Sequence, residues 1–181
     1  MVAIDNEPLA IAAARDFFQT LPPQQASRIH LLHADMEHLP FHDASFSKIS
    51  FSEVIEHLVH PLPVLRELYR VLKPGGHLVL TTWPNKAHYL WRLKYWIGMG
   101  SKEDFNPQTR RSLVRLVRQT PFQLADFRFA NFYLHIPKTP VTIDGWGQTS
   151  GLAQWCERSL VRGWVGNVFG SSLYARFVKP E

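Results

Sequence analysis

Three acidic residues, Asp5, Asp35 and Glu53, each follow a short apolar run of this chain. If the runs are parallel strands, these carboxylates lie beyond the carboxyl ends of the strands, where open sheets bind ligands. A carboxylate accepts hydrogen bonds from the hydroxyls of a ribose or from an adenine amino group. The pattern therefore indicates a site for an adenosine-containing ligand, while capping of a following helix is the alternative for each acid taken alone.

The segment EVIEHLVH carries two Glu–His pairs at the i,i+4 spacing of a helix, Glu53/His57 and Glu56/His60. Such pairs can bind zinc, but the sequence offers no third group of ligands, so we expect no metal site. Glu53 and His57 are weak candidates for a general base that acts on a substrate hydroxyl. The competing interpretation makes both of them ordinary surface residues of a helix.

Apolar runs alternate with amphipathic helical patterns as far as residue 85, which predicts an α/β fold with a mostly parallel sheet. The first helix is expected from Pro8, with Leu9, Ala13 and Phe17 on one face. The clearest helix is predicted over residues 61–72, with an apolar face of leucines. Pro74-Gly75-Gly76 should end this helix, and residues 77–82 should form a strand covered on both faces.

After residue 85 the pattern changes. An aromatic and basic helix is expected over residues 86–100, as a lid or as ordinary packing rather than at a membrane surface. An amphipathic helix is predicted over 110–119, and strands over 122–132 and 172–178. We interpret Trp146, Trp155 and Trp164 as packing residues and assign no role to Cys156.

The composition indicates one packed domain, since 45% of the 181 residues are hydrophobic and 19% are charged. With one cysteine the chain forms no internal disulfide, and we predict a cytoplasmic location. The formal net charge is +5, and residues 86–118 hold eight basic and two acidic side chains. This segment could face an acidic substrate, nucleic acid or a membrane, or be a solvated face. No nucleic-acid motif accompanies it, so we expect no nucleic-acid partner.

The series VAIDNEPLAIAAAR, LLHADMEHLPFHDASFSKISFSEVIEHL and LRELYRVLKPGGHLVLTTWPN resembles the class I S-adenosylmethionine-dependent methyltransferases, especially those of quinone biosynthesis. The resemblance implies a Rossmann-like sheet, the cofactor S-adenosylmethionine and a small-molecule methyl acceptor. It implies that Asp5 binds the ribose hydroxyls and Asp35 the adenine amino group, with Met36 beside the ring. The turn of Ser52 and Glu53 would lie near the methionine part. The cofactor-binding candidates are Asp5, Asn6, Asp35, Met36, Ser52 and Glu53.

One departure from the family is large. Its glycine-rich loop follows a first strand that lies at the centre of the sheet, whereas here only four residues precede Asp5. We therefore expect a fragment that lacks this strand and loop. The alternative is that the family's strands two and four, here the apolar runs that precede Asp5 and Glu53, pair directly. The predicted organisation is a single domain, 1–181, with a cofactor-side core (1–85), a helical variable segment (86–121) and C-terminal strands and tail (122–181). The alternative function is a truncated, non-catalytic remnant or a binding module that needs a partner chain.

Overall fold

The computed structural model describes residues 1–83, 92, 93, 96, 108–132 and 170–181. Strands and helices alternate at the start of the chain, which confirms the predicted α/β class. The elements are β1 (Val2–Asp5), α1 (Pro8–Gln19), α2 (Pro23–Ala26), β2 (His30–His33), β3 (Phe46–Ser52), a 3-10 turn (Ile55–His57), α3 (Pro61–Val71), β4 (Leu72–Thr82), α4 (Arg110–Val117), β5 (Gln123–Phe132) and β6 (Gly170–Val178).

The described strands form two sheets. β1 and β2 pair in parallel, and the second sheet has the order β3-β4-β6-β5, with β3 and β4 parallel and the other pairs antiparallel. Within the described residues no strand pairing joins the two sheets, so the alternative in which β1 and β3 pair directly is wrong. The sheets still share one core, because Ile4 and Met36 pack against the cluster that contains Phe51 and Ile55.

Helix α3 supplies most of the helical contribution to this core. Val64, Leu65, Leu68 and Val71 are buried along one face, as the leucine spacing predicts. Burial of each such side chain contributes about 1.5–3 kcal/mol.

The glycine pair does not end α3, contrary to the prediction. The helix ends at Val71, and Leu72 is already extended and paired with Phe46. The ladder resumes where Lys48 pairs with His77, so residues 73–76 bulge out of β4. Gly75 has φ +69°, a left-handed conformation that glycine adopts without strain.

Among the described residues, helix α1 is packed along one side. It packs on β1, β2 and α2, and Ile11 is its buried residue. Leu9 and Phe17, from the face expected on the four-residue spacing, are 77% and 60% exposed. Leu9 and Phe17 do share one face of α1, as the spacing predicts. The sheet of β1 and β2 packs against the other side of the helix, where Ile11 lies.

The late elements agree with the sequence-based bounds. In α4, Leu113 and Val117 are buried and Arg111, Arg115 and Arg118 are exposed. Both predicted late strands are present, as β5 and β6. The prediction of a helix over 86–100 lies mostly outside the described residues, and the three tail tryptophans and Cys156 lie entirely outside them. No helix in the described part of the chain is long and apolar enough to cross a membrane.

Candidate functional site

Asp5 and Asp35 lie at adjacent strand ends. Asp5 pairs with His33 in the parallel ladder of β1 and β2. The backbone N–H of Ala34 donates to the carbonyl oxygen of Asp5 across 3.1 Å, which brings the residue after β2 against the end of β1. The sequence expectation that these two acids share one edge therefore agrees with the fold. We call this edge, formed by Asp5 and Asp35, the aspartate rim.

Asp5 orders the turn into α1 with one of its two oxygens. Its Oδ1 accepts a hydrogen bond from the Glu7 N–H at 2.9 Å, and Glu7 in turn caps α1 at Leu9. Beside it, the Asn6 carbonyl lies 3.0 Å from His33 Nε2. Within the described residues the second oxygen, Oδ2, has no partner. Asp5 thus orders the turn before α1 and also has an acceptor oxygen that remains available to a ligand.

Asp35 carries a stabilised negative charge at the rim. Its Oδ1 accepts from the Glu37 N–H at 2.9 Å, and its Oδ2 lies 3.1 Å from His38 Nδ1. These two bonds, the backbone one above all, lower the pKa of Asp35, and the carboxylate raises the pKa of His38. An ionised carboxylate only accepts hydrogen bonds, which suits an amino group. Met36, the next residue, is half-buried against the core.

The loop after Met36 is tied to α3 by two charged side chains. Glu67 Oε1 accepts from the Leu39 N–H at 2.8 Å, and Arg70 donates to Glu67 and to the carbonyl oxygens of Leu39 and Phe41. Helical periodicity alone puts Glu67 and Arg70 away from the apolar face of α3 and gives them no partner in the loop. Their i,i+3 opposite charges were the available signal, but the backbone contacts depend on how the loop folds over the helix.

Glu53 stands at the end of β3 in a conformation that L-residues rarely adopt. Its φ is +54°, and its N–H donates to the Thr81 carbonyl oxygen of β4 at 3.0 Å. Partial burial of its carboxyl, together with the charge of Glu56 and a hydrogen bond to the Glu56 carboxyl, raises the pKa of Glu53 to about 7, although the residue as a whole is exposed. A hydrogen bond with Thr81 opposes this shift. The preceding residue, Ser52, is exposed and pairs with Thr81.

The i,i+4 spacing in EVIEHLVH does not correspond to a helix. Only Ile55–His57 forms a 3-10 turn, and Glu53 precedes it in a left-handed conformation. Glu56 is 1% exposed, whereas its i,i+4 partner His60 is exposed, so this pair does not present one ligand face. Among the described residues no cluster of metal-ligating side chains is present.

The candidate residues fall into two groups. Asp5, Asn6, Asp35 and Met36 belong to the β1–β2 sheet, while Ser52 and Glu53 belong to β3. No hydrogen bond or ion pair among the described residues joins Glu53 to the aspartate rim; the groups are connected through the packing of Ile4 and Met36 on the common core. A cavity of about 420 Å³ between α1, α2 and β2 is lined by none of the six candidates.

The fold is that of S-adenosylmethionine-dependent methyltransferases. It superposes on the solved structure of a SAM-dependent methyltransferase from Methanosarcina mazei with a TM-score of 0.66 at 18% identity, covering 99% of this chain and 81% of that one. This likeness defines the fold and leaves the reaction open.

The sequence comparisons also find similarity to methyltransferases. A family model described as a methyltransferase domain matches residues 1–80. A demethylmenaquinone methyltransferase of Clavibacter sepedonicus is 30% identical over 154 residues, which cover 85% of this chain and 59% of that protein. A malonyl-[acyl-carrier protein] O-methyltransferase of a Marinomonas species is 29% identical over 131 residues, covering 72% and 46%. The chain is thus similar in sequence and in fold to the class I S-adenosylmethionine-dependent methyltransferases. It spans about half the length of these two curated relatives.

Proposed function

We propose that this protein transfers a methyl group from S-adenosylmethionine to a small-molecule acceptor. The observation that carries the proposal is the hydrogen bond from the Ala34 N–H to the Asp5 carbonyl oxygen, which unites two carboxylates in one rim. A ribose offers hydroxyl donors and an adenine offers amino donors, so two acceptor groups at one sheet edge match an adenosine. Similarity to this family supports the choice of S-adenosylmethionine over other adenosine compounds.

The rim residues fit the cofactor in their donor and acceptor chemistry. Asp5 would hold the ribose hydroxyls through its available Oδ2, and Asn6 lies next to it on the chain. Asp35, kept ionised by Glu37 and His38, would accept from the adenine amino group. Met36 would pack beside the ring, since its side chain is polarizable and already lies against the core.

Ser52 and Glu53 would lie on the methionine side of the cofactor. S-adenosylmethionine, when bound, supplies an electrophilic methyl carbon, which an electron pair of the acceptor attacks as the carbon–sulfur bond breaks and its electrons leave with sulfur. Glu53 is the better placed of the two base candidates, because its pKa of about 7 suits proton transfer at neutral pH. His57, exposed on the neighbouring turn, is the second candidate.

The names of the relatives suggest which acceptors to try first. One relative is named for demethylmenaquinone and another for a malonyl group on acyl-carrier protein. A screen with a reduced demethylmenaquinone and with a malonyl thioester therefore covers a hydroquinone and a carboxylate. Methylation of either, followed by mass spectrometry, would identify the acceptor class.

Calorimetric titration of the chain with S-adenosylmethionine tests the cofactor site. Asp5→Asn retains an oxygen for the Glu7 N–H but loses the charge and one acceptor, so we expect binding to weaken by about 1–3 kcal/mol. Asp16→Asn, which removes an exposed charge from α1, is the matched control and should leave the affinity unchanged. Equal affinity of Asp5→Asn and the unmodified protein would refute the role of Asp5.

The second candidate is a binding module that needs a partner chain. The exposed Leu9 and Phe17 of α1, and the absence of pairing between the two described sheets, favour it. A folded chain with no measurable affinity for S-adenosylmethionine would support this alternative against the enzyme.

A further inference from the structure

We infer that the cavity between α1, α2 and β2 is a binding site for a small amphipathic anion, an alkyl chain that ends in a carboxylate. Its volume of about 420 Å³ falls within the range of roughly 300–1,000 Å³ that is typical of small-molecule sites. None of the residues that line it belongs to the candidate cofactor site. The chemical class of the ligand follows from the division of the lining into apolar walls and a basic opening.

The walls of the cavity are apolar and half-buried. Phe18 of α1 and Ala26 of α2 form one part, and Ile29 and Leu31 at the start of β2 form the other. These side chains keep part of their surface in water in the chain alone. An alkyl chain that covers them removes apolar surface from water, which is the main driving force for binding such a ligand.

The rest of the lining is polar, exposed and free of acids. Arg15, Gln19 and His30 line the cavity, and no described acidic side chain does so. Arg15 and Gln19 stand one turn apart on the same face of α1, since they are four residues apart. Within the described part of the chain, no hydrogen bond or ion pair engages the side chain of Arg15 or of His30. Their donors are therefore available to a ligand.

Arg15 decides the sign of the charge that this opening favours. A guanidinium can bind a carboxylate through two parallel hydrogen bonds, and the amide of Gln19 and the ring of His30 add donors beside it. Helix α1 ends at Gln19, so its carbonyl end opposes an anion with about half a charge. The full charge of Arg15 outweighs this effect, and the opening favours an anionic head group.

The cavity and the aspartate rim lie at opposite ends of β2. This strand runs from His30, which lines the cavity, to His33, and Asp35 of the rim follows it. Three steps along a strand correspond to about 10 Å. The cavity is thus a separate site, and the inference does not rest on the proposed methyl transfer.

The test is an NMR titration of the ¹⁵N-labelled protein with sodium octanoate, kept below the concentration at which it forms micelles. We expect saturable shifts of the backbone amides in the second half of α1 and in residues 26–31, with a dissociation constant in the low millimolar range or tighter. Hexanoate, which is two methylenes shorter, should bind about tenfold more weakly. Octanol, which keeps the chain length but has no charge, should bind about fivefold more weakly.

Two arginine variants separate a built site from general attraction to a basic protein. Arg15→Gln should weaken octanoate binding about fivefold, because it removes the charge at the opening. Arg28→Gln is the matched control, since Arg28 is exposed nearby but does not line the cavity, and it should leave the affinity unchanged.

Three results would overturn the inference. The first is the absence of saturable shifts with octanoate, and the second is equal affinity of Arg15→Gln and Arg28→Gln. The third is a set of shifts centred on the exposed Leu9 and Phe17, which would mean adsorption of the alkyl chain to the outer face of α1. The titration needs no cofactor, so octanoate binding by a protein without affinity for S-adenosylmethionine would uphold this site and refute only the proposed function.

Discussion

Replacing Glu67 by alanine should release the loop that carries the adenine side of the site. Glu67 of α3 is 14% exposed and accepts from the Leu39 N–H at 2.8 Å and from Arg70. Leu39 is itself buried, and Asp35 and Met36 stand a few residues before it. Without Glu67 the Leu39 amide loses its acceptor, and Arg70 loses its nearest carboxylate.

The magnitude follows from these two losses. A backbone amide that loses a charged acceptor costs about 1.5–3 kcal/mol. The ion pair adds about 0.5–1 kcal/mol, because the Arg70 side chain remains one-third exposed and water screens the pair. We therefore expect Glu67→Ala to lower the free energy of unfolding by about 2–4 kcal/mol. Glu67→Gln retains an oxygen for Leu39 and should cost about 1 kcal/mol.

Urea unfolding followed by circular dichroism measures this effect. With a slope of about 2 kcal/mol per molar urea, Glu67→Ala should lower the midpoint by about 1–2 M. Arg66→Ala is the matched control, because Arg66 is exposed one residue earlier on α3 and its loss should cost no more than about 0.5 kcal/mol. Equal midpoints for Glu67→Ala and Arg66→Ala would refute the tethering of the loop.

Two further predictions concern backbone strain and acid. Glu53→Gly should be more stable than Glu53→Ala by about 1 kcal/mol in thermal unfolding, since glycine adopts φ +54° without strain; the reverse order would contradict a left-handed Glu53. The hydrogen bond from Arg70, and to a lesser extent that from the Leu39 N–H, lowers the pKa of Glu67 in the folded state. The contribution of Glu67 to the free energy of unfolding is therefore full above its unfolded pKa of about 4.5. This contribution is lost as the pH falls through the lower folded pKa. The stability of Glu67→Gln, measured by urea titrations from neutral pH downward, should therefore fall less with acid than that of the unmodified protein.

The tertiary structure decided the features that depend on distant contacts. Whether β1 meets β3 depends on sheet assembly, and the described residues form two sheets. The outward position of Leu9 and Phe17 follows from what covers α1, which periodicity cannot show. The raised pKa of Glu53 depends on the partial burial of its carboxyl and on the charge of Glu56 from the following turn, while Thr81 of the neighbouring strand opposes the rise. The roles of Glu67 and Arg70 likewise depend on a loop folding back over α3.

The sequence by itself determined the α/β class, the course of α3 and α4, the two late strands and the acidic residues at the ends of β1 and β2. These features depend on short-range periodicity and on the side-chain types that end strands, which any chain with this pattern would share. The anchoring of Glu56 at the end of β4 and the anchoring of the loop by Glu67 and Arg70 belong to the tertiary structure alone. Their energies come from hydrogen bonds between residues that the sequence keeps apart, and packing sets those distances.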